Sequence, residues 1–130
     1  MNRKPVAVGL LTCDYVVVEE GTRNVTAVNC WTRRKCRLFP SEQQPLVVLA
    51  FLTDGLGETS LEIVVHALDN WEEVRPVQGV AKFDDPTREY RCLFRIPDMT
   101  FPTAGFYQAS LLADGEILAQ RKLTLTQATT

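Results

Sequence analysis

The chain has 130 residues, enough for a single domain over 1–130 that builds its core without staples. With 45% hydrophobic and 23% charged residues it has the make-up of a folded domain, which excludes a disordered chain. A net charge of −2 leaves no global field to gather nucleic acid or an anionic membrane, and no apolar run approaches the ~18 residues of a membrane span.

Val6 to Val18 is β-branched and apolar, broken at Asp14, and predicts one strand or two short ones bent there. Arg3-Lys4 followed by Val6 to Cys13 also has the outline of a lipoprotein signal. Its apolar stretch is at the short end of the ~7–15 residues such a signal needs, and Thr12 stands where a small residue should precede the cysteine. The expectation is a cytoplasmic protein, with a lipoprotein anchored at Cys13 as the alternative. Glu19 to Asn24 is turn chemistry, with Gly21 able to supply a positive φ. Val25 to Trp31 is the next strand, and Thr32-Arg-Arg-Lys-Cys-Arg37 opens a long connection running through Pro40 to Pro45.

Leu46 to Leu52 is apolar at every position, which predicts a strand buried on both faces. Thr53 to Glu58 holds an Asp-Gly turn. Leu61, Ile63, Val65 and Ala67 mark a half-buried strand, and Val74 to Phe83, interrupted by Pro76 and Gly79, reads as an edge strand. Tyr90, Cys92, Phe94 and Ile96 alternate with Arg91, Leu93 and Arg95 as a further strand, and Pro97 and Pro102 flank a rigid connection after it. The stretch Phe101 to Leu125 is two strands around Asp114-Gly115, the strongest hairpin signal in the chain. A loop closed by a Gly bulge would put Leu111 opposite Ile117 and Ala109 opposite Ala119. Tyr107, Ala109, Leu111, Ile117, Ala119, Leu123 and Leu125 would then line one face, with Arg121 the only intruder. The end, Gln127 to Thr130, is expected to fray.

Short strands with regular turn signals and no helical period predict an all-β, two-layer antiparallel sandwich of seven or eight strands, with a closed β-barrel as the alternative. Gly105-Phe-Tyr107-Gln-Ala109 resembles the tyrosine corner of immunoglobulin-like sandwiches, where the hydroxyl ties the strand back to its corner. Ala109 stands where an antibody-type disulfide cysteine would be. Cys13-Asp14 at the end of the first strand, and the closing G-x-Y with its hydrophobic strand and Asp-Gly turn, resemble a family of small uncharacterised bacterial β-sandwich proteins. That resemblance implies the fold and a bacterial origin and no activity.

The candidate chemistry is sparse. Cys13, Cys30, Cys36 and Cys92 show no zinc spacing and read as free, mostly buried thiols. His66 is the single histidine, so no histidine triad for a metal can form, and its alternation turns it away from the core. Asp54, Asp69, Asp84, Asp85, Asp98 and Asp114 fall at nearly every connection, so they should divide between the two ends of the sandwich. A calcium site needs about 6–8 converging oxygens. No phosphate loop, nucleophile elbow or readable carboxylate pair is present, and the expectation is no enzyme, no cofactor and no metal.

Two binding hypotheses follow. In the first, the chain is a protein-interaction or scaffolding module. Its strand at 107–111 turns Phe106 and Leu112 outward. In an immunoglobulin-like order the strand Leu46 to Leu52 lies beside it and adds either Val47, Leu49 and Phe51 or Leu46, Val48, Ala50 and Leu52. The result is an apolar patch, marked by Phe106, Leu112 and Phe51, for a partner or a homodimer. In the second, Arg33, Arg34, Lys35 and Arg37 hold a small anionic ligand or a nucleic acid.

Overall fold

The computed structural model describes residues 2–128. Nine strands follow in order: β1 (Val6–Val18), β2 (Val25–Cys30), β3 (Arg33–Cys36), β4 (Gln44–Thr53), β5 (Gly57–Ala67), β6 (Glu73–Phe83), β7 (Tyr90–Met99), β8 (Gly105–Ala113) and β9 (Glu116–Gln127). They form a sandwich of a four-stranded sheet, β2-β1-β4-β7, and a five-stranded sheet, β3-β9-β8-β5-β6. No helix of the described residues is long and apolar enough to cross a membrane.

The strand beyond the expected seven or eight is β3, which lies in the basic run read as a connection. Its charges carry no apolar alternation. It exists because its backbone pairs in parallel with the end of β9, Arg33 opposite Thr124 and Cys36 opposite Gln127. Gln127 is thereby part of a strand rather than frayed; Thr129 and Thr130 lie outside the described residues. β7 likewise runs through Pro97 to Met99, and Asp98 sits in it, paired with Arg75 at 3.0 Å.

The closing hairpin turns at Asp114-Gly115 with φ of 48° and 85°, the left-handed pair that an Asp-Gly turn adopts readily. The register differs from the expected one. Ala113 faces Glu116 and Leu112 faces Ile117, and only then does an extra residue, Leu118, shift the pairing, so that Leu111 faces Ala119 and Ala109 faces Arg121. The bulge lies inside β9 rather than in the loop. Tyr107, Ala109, Leu111, Leu123 and Leu125 are buried as expected, but Ile117 precedes the bulge and is turned outward, 57% exposed. Arg121 does intrude on the inner side, with its Nε buried and unpartnered.

The interior has two ends. At one, Trp31, Leu46, Val65, Ile96, Met99, Phe101, Tyr107 and Leu123 pack together, and Phe101 meets Tyr107 edge to face at 5.0 Å. At the other, Leu10, Val48, Ala50, Leu52, Ile63, Phe83, Phe94 and Leu111 do so. The corner bond expected of Tyr107 is present: its hydroxyl donates to Thr103 O at 2.5 Å and accepts from Thr103 N at 3.2 Å.

β1 changes partner halfway. Residues before Asp14 pair with β4, and those after it with β2, with Cys13 between Val47 and Cys30. Asp14 and Asn29 make the corner. Asn29 takes a left-handed φ of 54° and donates from Nδ2 to Asp14 Oδ2 at 2.7 Å. Arg34 donates to the other oxygen at 2.5 Å while its guanidinium lies 4.0 Å over the Trp31 ring. The arm beyond this corner folds back across the outside of β4. Leu49 points away from the interior yet is 1% exposed, with Val47 and Cys13 also buried. At the arm's tip, Arg23 O accepts a hydrogen bond of 3.4 Å from Arg91, which stands opposite Phe51 in β7.

This arrangement corrects the placement of β4. It is buried on both faces as its composition predicts, but it lies between β1 and β7, while β8 is flanked by β9 and β5. An all-apolar strand carries no mark of which sheet it joins.

Candidate interaction face on the five-stranded sheet

Period-2 alternation along β8 sends Tyr107, Ala109 and Leu111 inward and Phe106, Gln108, Ser110 and Leu112 to the outside of the five-stranded sheet. The register lays out what surrounds them. Phe106 has Thr124 beside it on β9 and, beyond that, Arg33 on β3. Gln108 lies between Lys122 and His66; Ser110 lies between Gln120 and Val64; Leu112 lies between Ile117 and Glu62. Phe106 is 62% exposed and Leu112 half-buried. Val80 on β6 is also exposed, and Val64 is buried among its neighbours in the middle of the face.

Next to Phe106 is a groove of 510 Å³ with walls from Leu68, Asp69, Ala104, Phe106, Lys122 and Thr124. Its floor is held by the Tyr107 corner and by a hydrogen bond from Leu68 N to Phe106 O at 2.9 Å. On the far side, Trp71 stands 61% exposed in a turn with φ of 58°, its ring edge-on to His66 at 5.6 Å. His66 is therefore not a bare solvent-facing residue: Trp71 half-covers it, and its Nδ1 is buried without a partner.

Of the residues expected to make the patch, Phe106 and Leu112 share this face. Phe51 does not: it lies in the other sheet, half-buried across Gly9, where a Cβ would come within 3.1 Å of its ring. Ile117, Val80 and Trp71 take its place. Ile117 was hidden by the bulge position. Val80, alternating with the inward Ala81 and Phe83, could have been read, and Trp71 in a turn of polar residues was a signal in plain view.

The basic run is divided by its own strand. Arg33 and Lys35 share the outward side of β3 with Thr124 and Thr126 of β9, and so join the face that carries Phe106. Arg34 points the other way and is engaged by Asp14 and Trp31. Arg37 follows the strand, its carbonyl accepting from Gln127 Nε2, and lines a separate cavity of 260 Å³ together with Arg34, Lys35, Ser41, Glu42 and Phe101. Three of the four cations, Arg34, Lys35 and Arg37, thus line one cavity, and Arg33 stands outside it.

Two of the carboxylates in the connections, Asp85 and Asp114, have structural partners. Asp85 accepts from the Thr87 hydroxyl and backbone N–H, which hold its carboxyl below the usual carboxylate range. Asp114 accepts from Ser60 N at 3.1 Å. Among the described residues no three of His, Cys, Asp and Glu gather into a metal-holding group.

All four cysteines are free thiols, but their burial is more varied than expected: Cys13 is buried, Cys36 and Cys92 half-buried, and Cys30 exposed. Burial is the main cause pushing Cys13, Cys36 and Cys92 above the ordinary thiol value, with the neighbouring Cys30 and Asp14 adding to it at Cys13 and Arg34 opposing it at Cys36. A raised folded-state pKa contributes stability that is complete below the unfolded value of about 8.5 and is lost as pH rises through the folded value. The urea midpoint should therefore fall on the alkaline side, less steeply in Cys92→Ala than in the wild type. With iodoacetamide at neutral pH, mass spectrometry should show Cys30 modified first and Cys13 only on unfolding.

No curated protein matches the chain. A family model described as a family of unknown function, DUF6941, matches residues 9–126, from within β1 into β9. The chain belongs to the DUF6941 family.

Proposed function

We propose that this protein is a non-catalytic interaction module that receives a partner protein, or a second copy of itself, on the outside of the five-stranded sheet. Phe106 carries the reading. A large aromatic ring 62% exposed, on a strand whose next residue is fully packed, is presented by rigid backbone. Ile117, Leu112 and Val80 add further apolar side chains along the same face, beyond Gln108 and Ser110. Solvated monomers seldom leave more than ~300–600 Å² of such surface bare. The setting in this reading is the bacterial cytoplasm, and the sandwich is an immunoglobulin-like one, as the Tyr107 corner suggests.

Phe106→Ser is expected to change stability by no more than about 0.5 kcal/mol, because the side chain contributes little to the core. A photo-crosslinking amino acid at position 106, in cells of the native source, should yield a covalent adduct with a protein, while the same group at Thr87 should not. Sedimentation of the purified wild type and of Phe106→Ser separates the two occupants: a dimer lost in the variant means self-association. A wild type that stays monomeric, with no adduct at 106, overturns the reading.

A second reading, a small anionic ligand or nucleic acid on the basic run, is favoured by Arg33 and Lys35 lying outward on β3. Phosphate contacts would make its affinity fall steeply with salt, which apolar contacts would not.

A further inference from the structure

We propose that the segment received on this face is acidic and extended, with one apolar anchor that enters the groove beside Phe106 while its carboxylates meet Arg33, Lys35 and Lys122. The inference rests on the interaction reading above and names the chemistry of the partner. Three observations carry it. First, the register brings the cations to one corner: Arg33 lies across Thr124 from Phe106, Lys35 lies beside Thr126, and Lys122 lies beside Gln108 and lines the groove. Second, the ion pairs among the described residues are Lys4 with Glu116, Arg34 with Asp14 and Arg75 with Asp98, so none of these three cations is in one. Third, Asp69 is the one acidic residue lining the groove, opposed there by Lys122, while Glu62 and Glu73 stand toward the opposite edge on β5 and β6, with Glu62 already accepting from Gln78 at 3.0 Å. A positive corner on a chain of net charge −2 is selective for a negative partner.

An acidic peptide fits this corner better than a single-stranded nucleic acid. Strand-binding faces offer successive aromatic platforms along a cationic track. Here Phe106 alone stands among the cations. Trp71, the other exposed ring on this face, sits in the turn after β5 and not among these cations.

The test is fluorescence anisotropy on the full chain with a labelled peptide of one phenylalanine flanked on both sides by glutamates. The same peptide with alanine for the phenylalanine, and an oligothymidylate, are the other probes. The glutamate-phenylalanine peptide should bind and weaken with rising salt. Binding should weaken about tenfold with the alanine probe and about tenfold in the Arg33→Glu, Lys122→Glu double variant. The milder Arg33→Gln, Lys122→Gln variant should show the same loss in smaller measure and guards against misfolding of the first. Absence of binding, or unchanged binding in both variants, overturns the proposal. So does tighter binding of the oligothymidylate that is lost in the same variants. If the peptide fails while position 106 still crosslinks to a protein, the interaction reading stands and the acidic segment falls. If both fail, both fall.

Discussion

Tyr107→Phe is expected to lower the unfolding free energy by about 1–3 kcal/mol, although it removes a single oxygen. The ring is 1% exposed and packs edge to face on Phe101. Its hydroxyl donates to Thr103 O and accepts from Thr103 N, so it satisfies both backbone groups of one corner residue. In the phenylalanine variant these two groups lose their partner at a site only partly open to water. A buried polar group left unpaired is more expensive than the lost bond alone. Tyr107→Ala also opens a cavity at one end of the interior and should cost about 3–5 kcal/mol, enough to unfold a domain of ordinary stability. Urea denaturation followed by far-ultraviolet circular dichroism measures both. The corner also forms the floor of the Phe106 groove, so the phenylalanine variant should weaken ligand binding there without changing any groove side chain. A Tyr107→Phe protein as stable as the wild type would show that the corner bond is dispensable.

Leu49→Ala is expected to destabilise by about 2–5 kcal/mol, and Ile117→Ala by no more than about 0.5 kcal/mol. Both side chains point away from the space between the sheets, and on strand parity alone both would be surface residues. They differ in what lies above them. The arm formed by the end of β1 and by β2 turns back at Asp14 and Asn29, and Leu49 is closed beneath it at 1% exposure. Nothing among the described residues covers Ile117, which is 57% exposed. Paired urea titrations of the two variants decide the matter. Equal losses would mean that the arm does not pack on β4. Asp14→Ala should reproduce part of the Leu49→Ala effect, because it removes the acceptor shared by Asn29 and Arg34 at the corner.

The sequence by itself determined the class of fold, the interior residues of β5, β7 and β8, the two-sided burial of β4, the edge position of β6 and the Tyr107 corner. These follow from local terms: a period of 2 in apolarity, β-branched and aromatic residues in short runs, and turn residues whose φ preference is intrinsic. It also determined that Phe106 and Leu112 face outward, because their parity is fixed by the buried Tyr107 and Leu111 between them. Only the tertiary structure decided which strands neighbour one another. Pairing joins residues far apart in the chain through backbone groups that are alike in every strand, so an apolar strand such as β4 fits either sheet. The ladder that makes β3 from Arg33 to Cys36 is of this kind: its partner is the end of β9, and its own side chains say nothing of it. The bulge at Leu118 shifts one residue and so turned Ile117 from expected core to surface. The fold-back of the arm depends on three polar side chains, Asp14, Asn29 and Arg34, that meet only once β1, β2 and β3 are in place. The candidate site lay between these two kinds of information. Phe106 was legible from local alternation, but its company was not, since Arg33, Lys122 and Ile117 come to it across hydrogen-bonded strands and Phe51 is carried away to the other sheet.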